Sequence, residues 1–65
     1  MPETTNDAQS VFDALNELRG ALDLTEQSWR EGKPADALQW AYAAERAAHK
    51  AEAVIVKEAG RLGQA

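Results

Sequence analysis

Glu45, His49 and Glu52 are the residues of this chain whose types and spacing could do chemistry. Separations of four and three residues put all three on one helix face, where two carboxylates and an imidazole could converge on a hard or borderline cation. Di-metal carboxylate sites in four-helix bundles instead take Glu-x-x-His from each of two helices and glutamates from the others. Here the glutamate and histidine are four apart, and the opposing ligand would have to be Asp13, Glu17 or Glu26. The simpler reading is a polar break that sets helix register, or a salt-bridge row with Arg46 and Lys50. Metal binding by Glu45, His49 and Glu52 is thus the lesser alternative, and no cofactor is expected.

Catalysis finds little else to use. The Ala48-His49-Lys50-Ala51-Glu52 context lacks the lysine-glycine pair that usually follows a phosphotransfer histidine. There is no paired nucleophile, no phosphate-cradling glycine loop and no length for a cleft. The chain is expected not to be an enzyme. A second chemistry lies in Arg46, Lys50, Lys57 and Arg61, a basic arc that a dimer would double and that could follow a nucleic-acid backbone. No aromatic stacking platform accompanies it, and basic residues late in a helix also complement the helix dipole. Nucleic-acid binding is therefore an alternative to a solvated face, not the favoured reading.

The elements that must position these residues follow from apolar spacing. Asn6 with Gln9 three residues on has the form of a capping box, and Asp7 suits the positive end of a helix dipole. From there Ala8, Val11, Leu15, Leu18, Leu22, Thr25 and Trp29 alternate by three and four, widened by Phe12, Ala14 and Ala21. This predicts a first helix over about 6–31 with residues 1–5 disordered and Trp29 in the core. Gly20 inside it predicts close packing or a slight bend. Gly32 suits the left-handed residue past a helix end and Pro34 the first turn of the next, so residues 32–33 form a tight turn. The second helix is predicted over about 34–60, ended by Gly60 and Gly63, with 63–65 frayed.

That second helix carries an alanine ladder, Ala37, Ala41, Ala44, Ala48, Ala51 and then Ile55, where bulky core residues would be expected. Alanine lets another backbone come close, so the ladder reads as a packing seam. Beside it runs a second stripe, Leu38, Tyr42, Glu45, His49, Glu52 and Val56. One contact stripe suffices for a hairpin; two predict a further neighbour. The stretch from Leu24 to Ala44 resembles one tetratricopeptide-type helix pair, with Gly32 at the turn and Ala37 and Ala44 at small-residue positions. Such arrays need about three repeats and no second repeat is present, so the resemblance implies a helix pair only. The Trp29-x-x-Gly32 turn is also similar to that of small secreted Trp-x-Gly hairpins, with one residue more in the spacing.

Size sets the remaining expectation. At 65 residues without cysteine, a single core stabilises a fold by no more than ~3–5 kcal/mol, and disulfide or thiolate-zinc staples are excluded. The start lacks the form of a secretory signal, and no segment approaches the ~20 apolar residues of a membrane helix, which predicts a cytoplasmic protein without membrane contact. The net charge of −4 divides into −5 over residues 1–32 and +1 over 33–65, so the halves attract when packed side by side, while the whole is a poor polyanion binder. The expectation is an all-α antiparallel hairpin over 6–62 that forms a homodimeric four-helix bundle and serves as a protein-binding adaptor or regulator. Its interface would use Leu15, Leu18, Leu22, Trp29 and the alanine ladder, with Trp40 and Tyr42 engaging another protein.

Overall fold

A computed structural model describes residues 2–63 of the chain, with side chains for 9–61 and 63. Two helices, α1 (Pro2–Arg30) and α2 (Pro34–Gly63), form an antiparallel hairpin measuring 49 × 18 × 11 Å over its Cα atoms. The expected all-α hairpin is thus present, with both helices longer than predicted.

α1 already runs through Asn6, so the capping signature does not mark its start, and residues 2–5 are helical rather than disordered. Pro2 and Glu3 themselves suit a first turn, since proline gives up an N–H that has no helical partner and an acid complements the dipole. Gln9 donates to the Asp13 carboxylate at 2.9 Å along the helix instead of closing a cap. The side chains of Asn6, Asp7 and Ala8 lie outside the described set. At the other end α2 continues through Gly60, which the i,i+3 pair Arg61 Nη2–Glu58 Oε1 at 3.0 Å spans. Of residues 63–65, expected to fray, Gly63 is still helical, and 64 and 65 lie outside the described residues.

The turn is built as its residues dictate. Gly32 holds φ at +73°, its amide donates to the Trp29 carbonyl at 3.1 Å, and the Lys33 amide donates to the Ser28 carbonyl at 2.9 Å. Those two bonds are the Schellman pattern that caps orphan carbonyls at a helix end. Ala37 then donates to the Lys33 carbonyl at 2.9 Å, which opens α2 with Pro34 in its first turn.

The seam between the helices consists of small residues. Among the described residues, Ala14, Ala21 and Ser28 on α1 and Ala37, Ala44, Ala47 and Ala51 on α2 are the buried positions, all 3–8% exposed, and no large side chain is fully buried. Val11, Leu18 and Thr25 on α1 and Val54 and Glu58 on α2 lie half-buried along its margins. Thr25 donates its hydroxyl back to the Ala21 carbonyl at 2.7 Å, which satisfies it within its own helix. The predicted α1 face is thus shifted toward its alanine edge: Ala14 and Ala21, which widen the stripe, are its buried members, joined by Ser28, while Val11, Leu15, Leu18 and Thr25 are half-buried. Leu22 and Trp29 stand 53% and 70% exposed, while their preceding neighbours Ala21 and Ser28 are buried. Small residues win the seam because they let the backbones close up along the full length. A two-helix slab 11 Å thick has no interior in which to enclose leucine or tryptophan.

Gly20 is also corrected, since a Cβ there would meet nothing within 4 Å. Gly20→Ala should raise stability by about 1 kcal/mol through helix propensity, and Gly32→Ala should lower it by ~1–2 kcal/mol through its left-handed backbone. Opposite displacements of the urea midpoint check both. Ala44→Leu should overpack the seam and cost ~1–3 kcal/mol, against little change for exposed Ala53→Leu, read from the two melting temperatures.

Candidate interaction surface

With the seam taken by alanine, the large apolar side chains lie outside it. Leu15, Leu22 and Trp29 recur at seven-residue spacing directly after Ala14, Ala21 and Ser28, so they form a stripe along one margin of the seam. Leu15 and Leu18 are half-buried there, while Leu22 and Trp29 are exposed. On α2 the predicted ladder splits: Ala37, Ala44 and Ala51 are buried, whereas Ala41, Ala48 and Ile55 are exposed. Ala47 joins the seam in their place, because heptad spacing keeps 37, 44 and 51 on the line facing α1 and turns 41, 48 and 55 toward its margin.

The two margins meet along one face of the hairpin. Near the turn they bound an open groove of about 400 Å³ with almost wholly apolar walls, lined by Thr25, Trp29, Pro34, Ala37, Leu38 and Ala41. Phe12, Tyr42 and Val56 are exposed as well. Trp40 is at the edge of full exposure, at 39%, and shares the opposite side of the seam with Leu24. Both residues predicted to engage another protein, Trp40 and Tyr42, therefore reach solvent, on different sides of α2.

Electrostatics divide the two faces. Lys50 Nζ lies 3.3 Å from Glu17 Oε1 and ties α2 to α1 across the side away from the groove. Arg30 pairs with Glu26 at 2.8 Å and Lys33 with Glu31 at 3.5 Å beside the turn. Glu31 also accepts from the Gln27 amide at 3.1 Å, and that bond, followed by the Lys33 charge, holds its carboxyl below the ordinary range. On the basic arc Lys50 and Arg61 are thus engaged with Glu17 and Glu58, which leaves Arg46 and Lys57 exposed without a described acidic partner. The arc is not a continuous positive stripe.

The metal alternative does not assemble. His49 Nδ1 and Glu52 Oε1 approach to 3.9 Å on an exposed helix face, and Glu17, one of the possible opposing ligands, is turned to Lys50. Among the described residues no group of three His, Cys, Asp or Glu side chains could hold a metal ion. A single helix face spreads its carboxylates, and α1 brings no third ligand over it. Among the described residues, too, no helix is long and apolar enough to cross a membrane.

No known protein family matches the chain, and no curated protein or solved structure matches it either. The exposed Glu17–Lys50 pair yields a test of how the hairpin is held. Lys50→Ala should cost under about 1 kcal/mol, and the difference from the parent chain should vanish in 1 M salt. A larger, salt-insensitive loss in urea unfolding would assign Lys50 a packing role.

Proposed function

We propose that this protein is a non-catalytic helical-hairpin module that works by association: it self-associates into a four-helix bundle and, as that bundle, serves as a protein-binding adaptor or regulator. One observation carries the reading. Among the described residues the buried positions are alanines and one serine, while nine large hydrophobic residues, Trp29 and Leu22 among them, stand exposed. Fully burying such a side chain is worth about 1.5–3 kcal/mol, so covering several of them would give association a substantial driving force. A second hairpin laid over the groove face is the plainest cover, because helices of a bundle bury their stripes on one another. In this reading the exposed Trp40 and Tyr42 engage a further protein, since tryptophan and tyrosine are residue types that anchor such contacts.

Sedimentation equilibrium tests this directly. The expected outcome is a dimer mass at micromolar concentration, with a melting temperature that rises with protein concentration. A well-folded single-chain species at high concentration, melting at one temperature throughout, would falsify the reading.

A further inference from the structure

Resting on the self-association just proposed, we infer that the second copy docks on the Trp29–Leu38 groove face with its turn at the same end, related by a two-fold axis along the length of the hairpin. Two faces are available. The groove face carries Leu22, Trp29, Leu38 and Ile55 exposed, while the opposite side offers Leu24 and Trp40 and is bridged by the Glu17–Lys50 ion pair. Apolar area therefore selects the groove face.

Charge then selects the orientation. Arg19 lies toward the outer margin of this face, where it donates to Asn16 at 3.3 Å and has no acidic partner among the described residues. Glu45 likewise forms no ion pair with a described residue; Asp13, Asp23 and Asp36 share that state but lie away from this face by helix spacing. Counting away from the Glu17–Lys50 pair, Arg19 falls level with position 48, between Glu45 and Glu52. The same count sets Trp29 level with Leu38 and Phe12 level with Ile55.

A two-fold axis along the hairpin keeps every height and lays α1 over the partner's α2. Arg19 then stands within about one turn of Glu45 and Glu52 of the partner subunit in the middle, beside Leu22 and Leu15, which fall level with those acids, and apolar pairs lie toward both ends. Turns at opposite ends would instead lay α2 on its own copy and set Glu45 against Glu52 of the partner subunit, acid on acid. Like charges across an interface oppose that arrangement, and the unlike charges favour the first.

The test reads the dimer dissociation constant by sedimentation, with circular dichroism confirming helix content in each variant. Leu22→Glu should abolish dimerisation while Leu24→Glu leaves it intact; the reverse would overturn the choice of face. Arg19→Glu and Glu45→Arg should each weaken the dimer by about tenfold or more, and the two together should recover most of the loss. A tighter dimer from Glu45→Arg alone would overturn the orientation, because it would place arginine against Glu52 of the partner subunit. Spin labels on Lys33→Cys supply a readout that no folding defect mimics. Turns together bring the two labels well within half of the 49 Å length, and a separation near the full length would also overturn the orientation. A parent chain that stays monomeric would refute self-association itself, whatever the variants do.

Discussion

Everything in this hairpin depends on how closely two helix backbones can approach when alanine lines both sides of their contact. Ala14 and Ala21 on one helix and Ala37, Ala44, Ala47 and Ala51 on the other bring little bulk to the seam, so main-chain atoms take the place that branched side chains occupy in larger cores. The arrangement gives many small dispersion contacts and little transfer of apolar area from water. A tight but weakly hydrophobic seam defines the geometry of the hairpin and leaves most of its greasy surface unspent. That surface is what the proposed association would bury.

Electrostatics work with the seam rather than in place of it. The acidic first half and the faintly basic second half of the chain lie side by side, and their attraction is concentrated in Glu17 and Lys50 on the face away from the groove. Both side chains are more than half exposed, so the pair contributes little energy; it marks which residues of the two helices stand level without setting that register. Short-range pairs along each helix, such as Glu26 with Arg30, quiet the surface beside the turn. On the groove face Glu52 has His49 beside it, whereas Arg19 and Glu45 have no ion-pair partner among the described residues.

Much of the architecture was readable from residue order. Gly32 and Pro34 place the turn within a residue, because a left-handed glycine followed by a proline has few other structural uses. The alternation from Val11 to Trp29 correctly predicts a long helix but only part of the side that packs, since Val11, Leu15, Leu18 and Thr25 are half-buried while Leu22 and Trp29 are exposed. Periodicity identifies a stripe, and in α1 two adjacent stripes, Ala14-Ala21-Ser28 and Leu15-Leu22-Trp29, share one period. Hydrophobicity favours the second, whereas the thickness of a two-helix slab favours the first, and a length-wise reading of the chain contains no statement of thickness. The same limit explains why half of the α2 ladder, Ala41, Ala48 and Ile55, lies outside the seam. Helix ends were less legible, since Asn6 and Gln9 satisfy a capping rule in a segment where Pro2 and Glu3 satisfy another. The polar triad Glu45, His49 and Glu52 was correctly placed on one face, but its convergence required a second helix that the hairpin turns elsewhere.

Heptad spacing of the buried alanines has one more effect. Because Ala37, Ala44 and Ala51 repeat every seven residues, and Ala14, Ala21 and Ser28 do the same, sliding one rod past the other by two turns would bring small residues against small residues again. The seam alone is a ruler with evenly repeated marks and no zero. What supplies the zero is the short connection through Gly32, whose two capping bonds leave no slack for the rods to slip. The turn therefore acts as an alignment pin, and lengthening it would free the hairpin to sample shifted registers of nearly equal packing quality.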